Sequence, residues 1–270
     1  VDTEAIRPED VQLAKQWCSE YHFDCIISTD GDGDRPLISD EHGNWLRGDV
    51  EGILCGQYLG ADTVVTPVSS NSAVEKSGAF RNVIRTKIGS PYVIEAMQQA
   101  QAGDNAQTVV GYEANGGFLQ QTEISQNNKI LSPLPTRDAV IVPIAILLLA
   151  EKKQLPLSGL LKTLPQRYTH SDRIKAFAVE KSQQLIARLV SSDFKTNLVN
   201  IKTLFPELAE PVDINITDGV RITFDSDDVV HLRPSGNAPE LRCYTESSST
   251  GKAASLCQAV MAVLTGLNKQ

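Results

Sequence analysis

The sequence Asp30-Gly31-Asp32-Gly33-Asp34-Arg35 follows a short apolar run, Cys25-Ile26-Ile27-Ser28-Thr29, that is typical of a buried strand. Carboxylates this close together repel one another unless a cation neutralises them, and oxygen ligands are those that Mg²⁺ and Ca²⁺ prefer. The glycines between them allow a tight loop to turn the side chains inward. The stretch therefore predicts a metal loop, formed by Asp30, Asp32 and Asp34, at the carboxyl end of a strand in an open α/β sheet.

Other interpretations of this loop compete with a magnesium site. Asp30, Asp32, Asp34 and Glu41 fall at the first, third, fifth and twelfth positions of an EF-hand calcium loop. The sixth position of such a loop requires glycine, but here it is Arg35, and the segment that enters the loop reads as a strand instead of a helix. A solvated acidic turn would not need six consecutive residues of this kind. The favoured interpretation is a Mg²⁺ site with a nearby phosphate, held partly by Arg35.

Length and composition restrict the class of protein. A chain of 270 residues should hold two or three domains, and 41% hydrophobic residues can bury a sizeable core. A net charge of −8 argues against nucleic acid as the main partner. The five cysteines show no ligand spacing, which indicates free thiols and predicts a cytoplasmic protein. The longest apolar run, residues 139–150, is too short to cross a membrane and reads as a buried helix.

The order of predicted elements indicates three regions. Residues 1–45 read as the end of an α/β domain that could hardly be stable alone, and the chain begins without Met, so we expect a fragment of a longer protein. Residues 46–165 alternate strands with helices, which predicts a doubly wound α/β domain with a mixed or parallel sheet. After a polar passage at 165–173, residues 166–270 predict a small α+β domain that begins with a helix and ends with another.

Two further loops carry groups that could bind a small ligand. In the first, residues 111–117, Glu113 and Asn115 could grip adjacent hydroxyl groups of a sugar, although a hairpin turn with a capping Asn explains the same residues equally well. A separate short turn, from Lys87 to Ser90, precedes a predicted helix start. This turn could receive an anion, or it could be a plain helix cap.

The second loop runs from Arg233 to Glu240 between two strands. Arginine offers a bidentate fork for phosphate, and serine, asparagine and glycine add neutral and backbone donors. A surface loop bounded by prolines is the alternative, but two arginines flank a donor-rich turn in an acidic protein. The sequence therefore predicts a phosphate site that consists of Arg233, Ser235, Gly236, Asn237 and Arg242.

In this order the three loops resemble those of the α-D-phosphohexomutase superfamily, the bacterial phosphomannomutases and phosphoglucomutases. Its sugar loop is commonly Gly-Glu-x-Ser-Gly, and its phosphate loop is usually Arg-Pro-Ser-Gly-Thr-Glu-Pro. The resemblance implies that this chain holds the end of the second of four domains and all of the third and fourth. The family's phosphoserine loop, Thr-Ala-Ser-His-Asn-Pro, matches nothing here, so we expect the isolated chain to be inactive.

The resemblance also implies a reaction, the Mg²⁺-dependent transfer of a phosphoryl group between the 1- and 6-positions of a hexose through a hexose 1,6-bisphosphate. Asp30, Asp32 and Asp34 would hold the metal, and Arg35 would offset charge on the transferring group. The sugar would contact Glu113, Asn115, Lys87 and Ser90. The missing amino-terminal half would be a partner of this chain.

This sequence departs from the family pattern at both ligand-binding loops. Asn115 replaces the commoner serine, Gly117 stands where many members have histidine, and Asn237-Ala238 replaces Thr-Glu. The histidine's absence removes one candidate proton carrier. We favour a phosphomannomutase, with a phosphoglucomutase or a non-catalytic calcium-binding module as the alternatives.

Overall fold

The fold was analysed in a computed structural model, which describes residues 2–3, 6–103, 108–126, 128–235 and 238–268. The chain divides into two compact units, Val1–Pro165 and Gln166–Gln270. Each unit has a hydrophobic core of its own. None of the described helices combines the length and the apolar character that crossing a bilayer would require.

The first unit opens with a helix and a hairpin. Helix α1 (Pro8–Tyr21) has Pro at its start and acidic residues in its first turn, which favour the amino end of a helix. Strands β1 (Ile27–Thr29) and β2 (Pro36–Ile38) pair antiparallel. The acidic loop therefore follows the carboxyl end of a strand, as the sequence predicted. Among the described residues it joins β1 to β2 in an antiparallel hairpin.

The centre of the first unit is a four-stranded sheet with the order β4-β3-β5-β6. The first three strands are parallel and β6 is antiparallel. The strands are β3 (Thr63–Pro67), β4 (Asn82–Thr86), β5 (Val109–Tyr112) and β6 (Phe118–Gln120). The helices are α2 (Gly48–Leu59), α3 (Ala73–Lys76), α4 (Ser90–Ala102), α5 (Ile141–Lys153) and α6 (Leu157–Leu161), and β7 (Ile124–Gln126) and β8 (Lys129–Leu131) form a separate hairpin.

Helices cover both faces of this sheet, which confirms the predicted doubly wound α/β class. On one face Val64 and Tyr112 pack in one cluster with residues of α2 and α5, and on the other face Val65 packs with Val93 and Met97 of α4. A Cβ atom at Gly52 would lie 2.3 Å from the Tyr112 ring, so only glycine lets α2 approach so closely. Because β3, β4 and β5 are parallel, their carboxyl ends lie at one edge of the sheet, where such folds place their ligands.

In the part of the second unit that the structure describes, an antiparallel sheet packs with three helices. Its strand order is β10-β11-β12-β13-β9, and one face packs against the helices in a continuous core. The strands are β9 (Tyr168–Lys175), β10 (Pro211–Asn215), β11 (Val220–Phe224), β12 (Val229–Pro234) and β13 (Glu240–Ser247), and the helices are α7 (Val179–Leu189), α8 (Phe194–Leu204) and α9 (Thr250–Asn268). The α+β class is confirmed, but the unit begins with a strand, β9, where a polar passage followed by a helix was predicted.

Candidate active site

The acidic loop takes its shape from one carboxylate. Oδ1 of Asp30 accepts hydrogen bonds from the backbone N–H groups of Gly33, Asp34 and Arg35 at 3.1, 3.3 and 3.3 Å. Gly33 has a φ of 74°, a left-handed conformation that favours glycine. The loop is therefore preformed, because Asp30 folds the backbone around its own side chain.

The three predicted metal ligands lie together. One carboxylate oxygen from each of Asp30, Asp32 and Asp34 lies within 4.8 Å of the other two. Arg35 places its Nε atom 3.4 Å from Oδ2 of Asp30 and 3.9 Å from Oδ1 of Asp34. Oδ1 of Asp34 is buried and accepts no hydrogen bond from the residues that the structure describes. An all-oxygen donor set with a buried, unsatisfied carboxylate oxygen fits a hard divalent cation.

Glu41, the twelfth residue of the calcium-loop interpretation, is used elsewhere. Its carboxylate accepts hydrogen bonds from the backbone N–H and the hydroxyl of Ser158, near the start of α6, at 3.1 and 2.5 Å. Burial raises the pKa of Glu41, but the hydrogen bonds from Ser158 outweigh it, so the pKa lies below its ordinary value. With Glu41 bound to α6 and strands on both sides of the loop, the geometry does not support an EF-hand.

Glu113 and Ser90, which the sequence analysis assigned to sugar binding, are in direct contact. Glu113 follows β5 and is buried, and Ser90 begins α4. The hydroxyl of Ser90 donates a hydrogen bond to Oε1 of Glu113. The other predicted residue of this turn, Lys87, lies with Nζ 5.7 Å from the ring centroid of Tyr92, a cation–π contact.

Within the predicted sugar loop, residues 111–117, the turn of residues 113–117 is closed by its own hydrogen bonds. The N–H of Glu113 donates to the carbonyl of Gly117 at 2.9 Å, and the N–H of Gly117 donates to Oδ1 of Asn115 at 3.0 Å. The Asn115 side-chain oxygen therefore holds the turn between β5 and β6, whereas the hairpin interpretation predicted an asparagine that caps a helix. A sugar-binding role for Asn115 could use its amide nitrogen or the second lone pair of Oδ1.

Backbone contacts hold the acidic loop and the sugar loop side by side within the first unit. A Cβ atom at Gly116, where φ is 94°, would lie 2.7 Å from the carbonyl oxygen of Pro36, the first residue of β2. A Cβ atom at Gly48, the first residue of α2, would lie 2.1 Å from the backbone nitrogen of Gly116. Glycine at both positions lets the hairpin, the helix and the loop pack at backbone distance.

Two charged residues of this region were missed from the sequence. Arg137 places Nε 2.9 Å from Oδ2 of Asp34. Glu51 of α2 is fully buried, and its Oε1 accepts the N–H of Ile38 in β2 at 3.0 Å. Burial raises the pKa of Glu51 to about 8. A carboxylate next to the apolar residues Val50, Ile53 and Leu54 of α2 was the available signal for Glu51, whereas no local pattern marks Arg137.

The predicted phosphate residues lie in the second unit, on β12 and β13. Arg233 pairs in register with Arg242, which pairs in turn with Arg173 of β9, so three arginines form a row on one face of the sheet. Directly opposed like charges destabilise a sheet unless something neutralises them. Glu240 lies near two of them, 3.3 Å from Arg173 and 4.0 Å from Arg242. Ser235 is buried, and Gly236 and Asn237 lie outside the described residues.

Arg233 is held by the turn between β10 and β11. Its Nε atom donates to Oδ2 of Asp218 at 2.8 Å, and Nε2 of His231 lies 2.6 Å from the carbonyl oxygen of Asp218. Burial lowers the pKa of His231 to about 4, so the ring is neutral and donates from Nε2 to that carbonyl. A Cβ atom at Gly219, whose φ is 77°, would lie 2.2 Å from the carbonyl oxygen of Leu232, which seats the turn on β12.

Comparisons with known proteins agree with this fold. The family model described as phosphoglucomutase/phosphomannomutase, alpha/beta/alpha domain III matches residues 47–168, and that of the family's C-terminal domain matches residues 173–263. The chain is 46% identical over 261 residues to a phosphomannomutase of Salmonella muenchen, covering 97% of this chain and 53% of that protein. It is 40% identical over 264 residues to a phosphomannomutase of Sinorhizobium fredii, covering 98% and 54%.

Solved structures give the same result at lower identity. A phosphoglucomutase/phosphomannomutase family protein of Burkholderia thailandensis superposes with a TM-score of 0.66 at 16% identity, over 98% of this chain and 51% of that one. An N-acetylphosphoglucosamine mutase of Aspergillus fumigatus, in complex with GlcNAc-6P and magnesium, superposes with a TM-score of 0.59 at 17% identity, over 89% and 52%. At identities this low, the superpositions show similarity of fold alone.

The architecture is that of the phosphohexomutases. The chain belongs to the phosphoglucomutase/phosphomannomutase family, as the resemblance of the three loops predicted. It spans about half the length of the curated relatives that it matches.

Proposed function

We propose that this chain forms the metal-, sugar- and phosphate-binding part of a Mg²⁺-dependent phosphomannomutase, which moves a phosphoryl group between the 6- and 1-positions of mannose. The observation that carries the proposal is the cluster of Asp30, Asp32 and Asp34 in a chain that is 46% identical to a phosphomannomutase. We place this protein in the cytoplasm, a prediction that rests on its cysteine usage.

The carboxylates of Asp30, Asp32 and Asp34 would hold the magnesium ion. When bound, Mg²⁺ would polarise a phosphoryl oxygen and neutralise charge on the transferring group. Arg35 adds a fixed positive charge beside the same carboxylates, with Nε 3.4 Å from Asp30 Oδ2. In its proposed catalytic role, Arg35 stabilises the negative charge of the transferring phosphoryl group.

The sugar would be held at the edge of the sheet where β4 and β5 end. Glu113 accepts hydrogen bonds from sugar hydroxyls, and Ser90 fixes the orientation of the Glu113 carboxylate through their shared hydrogen bond. Asn115 donates from its amide nitrogen, and Lys87 offers a cation beside the same loop. Each sugar hydroxyl can both donate to Glu113 and accept from Asn115, so the sugar can bind in either orientation. The site therefore suits a sugar that must present either end.

The phosphate that is not reacting would be bound by the second unit. Arg233 and Arg242 supply the guanidinium groups, and Ser235, Gly236 and Asn237 supply hydroxyl, backbone and amide donors. The pairing of Arg233 with Asp218 limits its rotamers before the ligand arrives, so less side-chain entropy is lost on binding.

The serine that carries the phosphoryl group would lie in a counterpart of the portion of the relatives that this chain does not match. Leu13, Trp17 and Tyr21 lie at helical spacing on one face of α1, and all three are exposed in the first unit. We infer that this apolar face receives that portion, and we expect no turnover by the 270 residues alone.

A fusion enzyme tests the proposal. The chain would be joined to the unmatched amino-terminal part of the Salmonella muenchen relative and assayed with mannose 1-phosphate and glucose 1-phosphate, with and without Mg²⁺. Conversion of mannose 1-phosphate that requires Mg²⁺ and is lost in Asp32→Asn is expected. Preference for the glucose ester would favour a phosphoglucomutase, and a folded fusion without either activity would refute the proposal.

A further inference from the structure

Arg137 contacts both loops of the proposed active site in the first unit. Its Nε atom forms an ion pair with Oδ2 of Asp34 at 2.9 Å. Its aliphatic stem lies over the sugar loop, since a Cβ atom at Gly117 would lie 2.8 Å from Cδ and 3.2 Å from Cγ of Arg137. The space beside Gly117, which a side chain would otherwise fill, is therefore occupied by an arginine from another segment.

The backbone that carries Arg137 is fixed. The next residue, Asp138, donates its N–H to the carbonyl of Phe118 in β6 at 3.0 Å. Its Oδ1 atom accepts the N–H groups of Val140 and Ile141, at 2.8 and 3.2 Å, where α5 begins. Arg137 thus projects from a point clamped between a strand and a helix, which is the support that a precisely placed functional side chain needs.

The ion pair of Arg137 competes with the proposed metal. A cation bound by either oxygen of Asp34 shares this carboxylate with Arg137, and the repulsion between the two positive charges weakens the contact of Arg137 with Oδ2. The displaced guanidinium remains next to the sugar loop, since its stem packs on Gly117. There it becomes available to the hydroxyl or phosphoryl oxygens of an incoming ligand.

We propose that Arg137 is a positioning residue that links divalent cation binding at the carboxylate cluster to sugar phosphate binding at the loop of residues 113–117. The inference rests on the proposed function and adds the residue that connects its two sites. Linkage of this kind is reciprocal, so the cation raises the affinity for the sugar phosphate by the same factor as the sugar phosphate raises that for the cation.

The test is calorimetry on the full 270-residue chain, titrated with MgCl₂ and with mannose 1-phosphate, each in the absence and presence of the other. Arg137→Gln should bind Mg²⁺ alone roughly 2- to 5-fold more tightly, because a partly exposed competing charge is removed. Its affinity for mannose 1-phosphate should no longer rise when Mg²⁺ is added. Arg137→Lys keeps the charge and should retain part of the linkage.

Two further variants separate linkage from a loss of structure. Gly117→Ala crowds the Arg137 stem without changing any charge, and it should shift Mg²⁺ affinity in the same direction as Arg137→Gln. Arg81→Gln removes an exposed arginine at the amino end of β4, the opposite edge of the sheet, and should behave as the unchanged chain.

The outcomes distinguish this inference from the proposed function. If the unchanged chain and Arg137→Gln bind both ligands with the same affinities and the same linkage, the role of Arg137 is overturned while the metal site stands. If the unchanged chain binds neither Mg²⁺ nor mannose 1-phosphate, the proposed function and the role of Arg137 fail together.

Discussion

The hydroxyl of Ser90 donates a hydrogen bond to Oε1 of Glu113, which joins the first residue of α4 to the first residue after β5. The two residues are 23 positions apart in sequence, and parallel strand order brings the segments that contain them to one edge of the sheet. Because Glu113 is 5% exposed, its carboxylate is desolvated and depends on such donors. In the proposed function, a sugar would be held at this pair.

Replacing Glu113 should therefore impair ligand binding more than replacing Ser90. Glu113→Ala removes the acceptor and leaves the Ser90 hydroxyl without it, which should cost about 1–3 kcal/mol of binding free energy for mannose 1-phosphate. Ser90→Ala leaves the carboxylate in place and should cost about 1 kcal/mol. Calorimetric dissociation constants check both values, with Glu95→Gln on the exposed side of α4 as the control. Equal affinities in all three variants would exclude Glu113 from the site.

The three aspartates of the acidic loop should not be equivalent. Asp30 accepts three backbone N–H groups, so Asp30→Ala should lower the metal-free free energy of unfolding by about 1–3 kcal/mol in addition to weakening Mg²⁺ binding. Asp32 is exposed, so Asp32→Ala should weaken Mg²⁺ binding with little change in metal-free stability. Urea unfolding without metal, followed by Mg²⁺ calorimetry, separates the two effects. A metal-free stability loss as large for Asp32→Ala as for Asp30→Ala would contradict this division.

Glu51 should make stability depend on pH. Burial raises its pKa from 4.5 to about 8, so the native chain keeps a proton that the unfolded chain releases above pH 4.5. The contribution to the free energy of unfolding is then fully present below pH 4.5 and is lost as the pH rises toward 8. Glu51→Gln, which resembles the protonated acid, should match the unchanged chain at about pH 4 and exceed its stability by roughly 2 kcal/mol or more at about pH 8.

Urea unfolding of both chains across this pH range checks the prediction. The N–H of Ile38 donates to Oε1 of Glu51, and the glutamine oxygen can replace that acceptor. A constant stability difference between the two chains at every pH would show that Glu51 does not titrate in this range.

The sequence was sufficient to predict that Asp30, Asp32 and Asp34 lie together, because they stand in one short contiguous motif. The acidic loop and the loop of Arg233 carry unusual residue types, whereas Glu113 and Ser90 were equally compatible with ordinary turns and were assigned through the family resemblance. The alternation of strands and helices in residues 46–165 likewise predicted the doubly wound class, since each buried strand reads as an apolar run between turn signals.

Features that depend on distant neighbours were missed. Strand β9 reads as a polar passage because its side chains are mostly exposed, and its strand geometry comes from eight residues paired with β13. Arg137 lies in an ordinary loop, and its importance comes from Asp34, which precedes it by about a hundred positions in the chain.

Helix α8 was also missed, although Asp193 caps it by accepting the N–H of Thr196 at 2.8 Å, a recognisable start signal.

Asp218 is expected to position Arg233 for phosphate binding. The Asp218→Ala substitution removes the carboxylate that holds Arg233 Nε at 2.8 Å but keeps the carbonyl to which His231 donates. Two effects then oppose each other. The freed guanidinium loses its fixed orientation, which weakens binding, and the loss of a nearby negative charge favours an anion. Both groups are about one-fifth exposed, so solvent partly screens the charge effect and the orientation effect should dominate.

We therefore expect Asp218→Ala to raise the dissociation constant for mannose 1-phosphate roughly 3- to 10-fold, or about 1 kcal/mol. Asp213→Asn removes an exposed carboxylate from β10 in the same sheet and provides the charge-matched control. Arg233→Gln should have a larger effect than either, because it removes the phosphate ligand itself. Tighter binding by Asp218→Ala would mean that Asp218 competes with the phosphate for Arg233 and does not position it.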